Sequence, residues 1–408
     1  MKLRWVILAL VVVLAAVLLP TRPAVAALDV QTTLADRLDQ ALRVRHVSRA
    51  STGALAIEIA SGRVVYALHP SRPLRPASNV KLAVALTALD RLGPGYRIRT
   101  DVLGLGRRDG TEWRGSLALL GRGDPSLGRR DLGVLARRIR GLGIRVVTGR
   151  VVGDESYYDR RRVGPGWKPS WYKVESPPLS ALVVARARVN GRTVDNPAYA
   201  AAAAFDAALG RAGVRVRYRP RVRSVPSRSA LASVFSPRLA YVVRGMNKRS
   251  DNFYAEMLLK HLGATQRGAG TTYAGRTVVR RELSQRGIPL FGVRIADGSG
   301  LSRYNRLTGK ALTALLLSAR SDPALRTPFT RSLPIAGVDG TLEDRMERPP
   351  ARGNVRAKTG TLNTASALSG YVAGRYVFSV VQNGSPIAWW YARLAQDRFA
   401  RVLAAAGR

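Results

Sequence analysis

SNVKLAVALTALDRLG, residues 78–93, limits what this chain can become more than any other stretch. Between Val80 and Leu89 only Lys81 and Thr87 are not aliphatic, so a helix there is apolar all round. Such a helix is stable in water only when other elements enclose it. Gly93-Pro94-Gly95 supplies its stop. The fold must therefore close around a central helix that has a serine at its mouth and one ammonium group a turn inside.

The rest of the chain reads as the material for that enclosure. LDVQTTLADRLDQAL (28–42) has helical spacing, and GALAIEIASGRVVYALHP (53–70) alternates and turns at Ser61-Gly62 as a β-hairpin does. From 94 to about 230 short β-like runs (SLALLG, RVVTGRVVG, ALVVARARV) are separated by Gly, Pro and Arg clusters, with helices near 131–142 and 197–210. This region reads as one or more inserted lobes, between the main-domain segments 27–93 and 231–408. Helices resume at SPRLAYVVRGMN, FYAEMLLKHLG and GTTYAGRTVVRRELSQRG. Two β-like runs, ASALSGYV and RYVFSVVQ, and an amphipathic helix from about Ala388 to Ala406 close the chain. The expectation is an α+β fold: helices from both ends of the sequence pack on a sheet whose strands also come from both ends.

Residues 1–26 read as an export signal: Lys2 and Arg4, an apolar run from Trp5 to Leu19, Pro20, and Ala-Val-Ala at 24–26. An uncleaved anchor is the alternative, and either one puts the bulk of the chain outside the cytoplasm. The net charge of +41 comes almost wholly from arginine, since only eight of 67 basic residues are lysine. A high-GC genome accounts for that as readily as an anionic partner does. With export, the partner that such charge allows is an anionic wall polymer or membrane surface; no nucleic-acid role is expected. There is no cysteine, hence no disulfide and no thiol nucleophile.

Several chemistries lack their residues. Three histidines (His46, His69, His261) and no HExxH leave a zinc hydrolase little to work with. There is no G-x-S-x-G elbow, P-loop or G-x-G-x-x-G. No metal or cofactor is expected. A hydrolase here needs another base, and lysine can be one where arginine cannot, because a desolvated ammonium gives up its proton and a guanidinium does not. Ser78 and Lys81, three apart, share a helix face. Ser78 would be the nucleophile at a helix N-terminus that favours developing negative charge, and Lys81 its base. S-x-x-K alone is a weak pattern: Ser170-Trp171-Tyr172-Lys173 matches it too, but lies between Gly164-Pro165-Gly166 and Pro177-Pro178 and reads as loop.

Two more motifs separate the copies. Ser250-Asp251-Asn252 falls in the break between two apolar helices, and Lys358-Thr359-Gly360 precedes a β-like run, where it would open or end an edge strand. S-x-x-K, S-D-N and K-T-G in this order are the set shared by penicillin-binding proteins and class A β-lactamases. The chain resembles the class C low-molecular-mass penicillin-binding proteins, the type-4 group of D-alanyl-D-alanine carboxypeptidases and endopeptidases. DGSGLSRYNRLT (297–308), GDESYYD (153–159) and SDNFYAEMLLKHLG are similar to segments of that group, and the long interval from Lys81 to Ser250 is similar to its habit of inserting lobes there. The insertion is short for the group.

The resemblance implies a penicillin-binding-protein or β-lactamase-like transpeptidase fold: an antiparallel sheet flanked by helices, a helical subdomain and an inserted β-rich lobe. It implies that Ser78 attacks a D-Ala-D-Ala or cross-link carbonyl in a peptidoglycan stem peptide, forming an acyl-enzyme, and that β-lactam antibiotics inhibit covalently. Ser250 would relay a proton to the leaving nitrogen and Asn252 would bond the acylamide. Lys358 and Thr359 would hold the terminal carboxylate, and the N–H groups of Ser78 and Thr361 would form the oxyanion hole. Arg303 and Asn363 would contact the stem-peptide side chain. Asp154 reads as a satisfied turn aspartate before a pocket residue, and Asp251 as a helix cap. A serine β-lactamase or esterase on the same fold, or a non-catalytic wall-binding protein, remains the alternative.

Overall fold

The computed structural model describes residues 32–406; the export signal read at 1–26 lies outside the described residues. Along the chain come α1 (Leu34–Leu42), the hairpin β1 (Thr52–Glu58) and β2 (Val64–Leu68), and α2 (Val80–Leu92). Next are β3 (Arg99–Asp109), β4 (Glu112–Leu120), α3 (Arg129–Gly141), β5 (Val146–Asp154), the two-residue pair β6 (Arg188–Val189) and β7 (Arg192–Thr193), α4 (Pro197–Arg211), β8 (Arg215–Val222) and β9 (Ala230–Phe235). The helices α5 (Leu239–Lys248), α6 (Asn252–Arg267), α7 (Thr272–Gln285), α8 (Gly309–Ser321) and α9 (Pro323–Ser332) follow. Last are β10 (Val355–Leu362), β11 (Ala365–Val372), β12 (Tyr376–Asn383) and α10 (Trp389–Ala406). Residues from Leu34 onward form one compact unit.

The main sheet has the order β10-β11-β12-β1-β2, antiparallel throughout, so strands from both ends of the sequence meet where β12 pairs β1. Its interior strand β11 is buried at every position. That explains the uninterrupted run ASALSGYV: a strand covered on both faces has no solvent side on which to alternate. On one face Ala367, Tyr371, Val377 and Val381 pack against α2, α5–α8 and Phe329 of α9. On the other, Ala54, Ala56, Leu368, Phe378 and Val380 pack against Leu38 and Leu42 of α1 and Phe399 and Leu403 of α10. Helix α2 is wholly buried from Val80 to Leu89, as its composition demands, and Gly93 ends it at a φ of 81°.

A second sheet, order β8-β5-β4-β3-β9, is built within residues 99–235 and covered by α3 and α4 through Leu132, Leu135, Ile139, Phe205 and Leu209. The β4–β5 and β5–β8 ladders are parallel, the β3 ladders antiparallel. The run ALVVARARV, expected from its pattern as a strand, is not one: only Arg188–Val189 belongs to a strand, and Ala185, Arg186 and Ala187 all take positive φ. Ala181 to Val184 and Ala187 are buried, Leu182 and Val184 of them in the core of this sheet, and burial rather than strand pairing is what the composition records. Among the described residues no helix is long and apolar enough to cross a membrane.

Candidate active site

Ser78 does not open the α-helix itself. It sits in a 3-10 turn, Ala77–Asn79, which feeds into α2 after Pro76. Ala77 holds a φ of 46°, a left-handed conformation that costs a side-chain-bearing residue about 1–2 kcal/mol. The surroundings keep it there. Asn79 Nδ2 donates to Ser369 Oγ on β11, which in turn meets Ser379 Oγ on β12. Gly360 and Gly300 press on the Ala77–Ser78 peptide: a Cβ on Gly360 would stand 3.0 Å from Ser78 N. The nucleophile's turn is thus clamped between β10 and the 297–302 loop.

Lys81 lies in the first turn of α2, fully buried. Its Nζ donates to Ser78 Oγ (2.8 Å), Asn252 Oδ1 (2.8 Å) and the Ser299 carbonyl (2.5 Å). Three acceptors match the three protons of an ammonium. Of the three only Ser78 Oγ carries a proton it can give away, so a neutral Lys81 has one group from which to accept. Burial lowers its pKa to about 8, against the upward pull of Asp297, Glu256, Asp251 and Glu175.

Ser250 stands between α5 and α6 at a φ of 57°. Asp251 caps α6 through Tyr254 N (3.0 Å) and pairs with Arg186 (2.6 Å), as its sequence position implied. Asn252, the first residue of α6, accepts from Lys81 and donates to the Glu175 carbonyl (3.0 Å). Lys358 is fully buried and donates to Ser250 Oγ (2.9 Å) and the Thr359 carbonyl (2.8 Å). Burial, and then the charge of Lys81, hold its pKa well below that of an ordinary lysine. Because Ser250 Oγ accepts from Lys358, its own proton is free to point elsewhere.

The K-T-G lies inside β10, an edge strand, and not at either end of it. Ala357 N donates outward to Pro334 O, so by the two-residue period of a strand the N–H groups of Thr359 and Thr361 also face away from β11. Thr359 Oγ1 meets Thr341 Oγ1 at 2.6 Å. Ser78, Ser250, Asn252, Thr359, Thr361 and Asn363 all line one cleft of about 760 Å³. Arg303 does not line it; its guanidinium is exposed and turned onto Tyr304. Asp154 is buried elsewhere, accepting from Ser156 N and Val225 N (2.8 Å each). His261 is a packed core residue between Tyr96 OH and the Arg122 carbonyl, its pKa lowered to about 4 by burial.

The cleft also holds residues the motifs do not announce. Trp171 and Glu175 come from the loop of the second S-x-x-K match, whose Lys173 pairs with Asp195 and not with a serine. Asp297 accepts from Trp167 Nε1, Asn305 Nδ2 and the N–H groups of Gly300 and Ser302, and so shapes the loop that presents the Ser299 carbonyl to Lys81. Arg345, Trp389, Trp390 and Arg393 form the opposite wall. The E inside the apolar FYAEMLLKHLG is visible in the sequence, as a charge within an otherwise apolar helix run.

Comparison with known proteins finds that the model of the D-Ala-D-Ala carboxypeptidase 3 (S13) family matches residues 34–193 and 185–405. A D-alanyl-D-alanine carboxypeptidase of Actinomadura sp. is 32% identical, over 86% of this chain and 81% of that protein. Carboxypeptidase DacB of Mycolicibacterium smegmatis is 31% identical, over 82% of this chain and 76% of that protein. The crystal structure of penicillin binding protein 4 from Haemophilus influenzae superposes with a TM-score of 0.79 at 23% identity, covering 90% of this chain and 98% of that one.

Proposed function

The chain belongs to the D-Ala-D-Ala carboxypeptidase 3 (S13) family, and from that premise we propose that its cleft hydrolyses the D-Ala-D-Ala bond or cross-link of peptidoglycan stem peptides through an acyl group on Ser78. It is a serine-type, penicillin-sensitive carboxypeptidase or endopeptidase. The observation that carries the assignment of roles is the 2.8 Å contact between Lys81 Nζ and Ser78 Oγ inside a buried site where the lysine's pKa falls to about 8.

The neutral amine of Lys81 takes the Ser78 proton as Oγ attacks the carbonyl carbon. The oxyanion that forms meets the N–H groups of Ser78 and Thr361, the latter on the outward side of β10. The C–N bond then breaks, and Ser250, whose hydroxyl oxygen is already held by Lys358, relays a proton to the leaving nitrogen: it gives its own and takes as replacement the one that Lys81 received from Ser78, which leaves Lys81 a neutral amine again. Asn252 orients the substrate acylamide while its Oδ1 braces Lys81. Water, deprotonated by the same amine, cleaves the ester and restores Ser78. A β-lactam enters the same sequence and stalls at the ester. Asn363 lies on the cleft wall within reach of the stem peptide.

The setting is extracytoplasmic, where peptidoglycan is found. Anionic wall polymers are a second partner: β8 sets Arg215, Arg217, Arg219 and Arg221 at alternate positions, all exposed, about 7 Å apart along the strand. The test of the function is mass spectrometry of the protein incubated with benzylpenicillin, beside a Ser78→Ala control. A penicilloyl adduct on the wild type that is missing in the control supports the reading. An adduct that persists in the control overturns the choice of nucleophile.

A further inference from the structure

The wall of the cleft beyond β10 is made by the first turns of α10 and the segment before β10: Trp389, Trp390, Arg393, Leu394 and Asp397 on one, Asp344 and Arg345 on the other. Two arginines stand there, and they differ. Arg345 is neutralised, its Nη2 lying 2.7 Å from Asp397 Oδ1 and its Nε 3.1 Å from the same oxygen. Among the described residues Arg393 forms no ion pair; Asp397, the acid that acts on its charge, is paired with Arg345. The one side-chain hydrogen bond of Arg393 there is a long one, Nη2 to Thr361 Oγ1 at 3.3 Å, and its Nε is buried without any partner. Trp389 lies under the guanidinium, 4.6 Å from ring centre to Cζ, and fixes its plane.

We propose that Arg393 is a specificity-determining residue of the hydrolysis, the cation that takes the carboxylate of the leaving residue beside the Thr359 and Thr361 hydroxyls. The inference rests on the S13 hydrolase reading above. The chemistry of the two candidate cations separates them. Lys358 is fully buried, faces Ser250, and has two of its protons committed to Ser250 Oγ and Thr359 O. A guanidinium keeps its charge under desolvation where an ammonium does not, and it presents paired donors in the geometry of a carboxylate. Arg393 is bonded to the hydroxyl of the residue whose N–H faces the cleft, so a carboxylate bound there hangs one residue beyond the scissile carbonyl. The guanidinium reaches the cleft through Nη2, beside Thr361 Oγ1. A leaving residue with a free carboxylate gives that end a charged acceptor, and one with a neutral amide end does not.

The test compares N-acyl-D-Ala-D-Ala with its C-terminal amide as substrates for the wild type, Arg393→Gln and Arg393→Lys, reading release of the last residue. In Arg393→Gln, kcat/KM for the carboxylate substrate falls about 10- to 100-fold, the size of one charge-assisted bond, while that for the amide stays within about twofold. Arg393→Lys recovers part of the loss, which a merely structural arginine would not predict, and keeps the question open to measurement should the Gln variant fold poorly. The rate of Ser78 acylation by benzylpenicillin, which carries a carboxylate, falls with the carboxylate substrate, and that by its methyl ester does not. Equal losses on both members of each pair, with Ser78 still acylated, overturn the role of Arg393 and leave the hydrolase reading standing. If wild type releases nothing from either peptide and takes up no penicillin at Ser78, the hydrolase reading falls and the inference with it.

Discussion

Gly300 and Ala77 touch backbone to backbone: a methyl group on Gly300 would stand 2.0 Å from the Ala77 carbonyl oxygen and 2.9 Å from Ser78 N, and Gly300 itself holds a φ of 93°. The 297–302 loop therefore closes on the nucleophile's turn only because residue 300 has no side chain. In Gly300→Ala the turn must move, and a displacement of an ångström at a nucleophile costs about 100-fold in rate. The penicillin acylation rate, followed by mass spectrometry, is expected to drop by that order, with stability lowered by about 1–3 kcal/mol from the strained φ. Acylation at the wild-type rate would show that the clamp does not position Ser78.

Lys81 must be neutral to accept the Ser78 proton, so acylation follows its neutral fraction. With a pKa near 8, the rate constant is expected to rise about tenfold per pH unit below that value and level off above it. Stopped acylation assays between pH 5 and 10 read the profile directly. Lys81→Arg keeps the charge but offers no base, and its acylation is expected to fall by about 10²–10⁴ at every pH. A profile that falls through pH 8 would mean that the ammonium, not the amine, is the active form.

Ser250→Ala removes a hydroxyl from a residue whose backbone is held by the Asp251 cap and the α5–α6 break, both of which survive the change. The loss is then one of proton delivery: turnover of a D-Ala-D-Ala peptide is expected to fall about 10²-fold or more while the melting temperature moves little. A large fall in melting temperature with turnover retained would recast Ser250 as a support for Lys358 alone.

How much of this the sequence carries can be judged residue by residue. Helix α2, the β1–β2 hairpin, β11, β12 and α10 are legible because each buries a face whose period or apolar run matches its element. The three motifs are legible because S-D-N and K-T-G each occur once and two of the chain's eight lysines fall in the set, and the cleft does gather Ser78, Ser250, Asn252 and Thr359. What escapes is set by long-range packing. Helices α8 and α9 stay hidden, although Leu312, Leu315 and Leu316 have helical spacing, because nothing local marks which core they join. Trp171 and Glu175 reach the cleft only through the tertiary path of their loop. Arg393, one of the chain's many arginines, is distinguished by the partner it lacks, and sequence does not record absent partners.

Glu256 carries a pH dependence of its own. It sits on α6, fully buried, with Oε1 accepting from Gly298 N (3.0 Å) and Ser299 N (2.8 Å) and Oε2 without a partner. Burial, and next the charge of Asp297, raise its pKa from 4.5 to about 8. A group whose folded pKa is raised contributes stability that is complete below the unfolded pKa and is lost as pH rises through the folded one. Stability should therefore decline between about pH 4.5 and 8 on account of this residue. Glu256→Gln retains the oxygen that accepts from Gly298 and Ser299 but cannot ionise, so its melting temperature should change less over that window, and the gap to the wild type should move in its favour as pH rises. Lys81 titrates in both proteins and cancels in the difference, apart from one effect: the Glu256 charge raises the Lys81 pKa, so the variant's acylation profile should shift to lower pH. Melting curves of the two proteins that run parallel from pH 4.5 to 9 would show that Glu256 ionises in the fold as freely as it does in water.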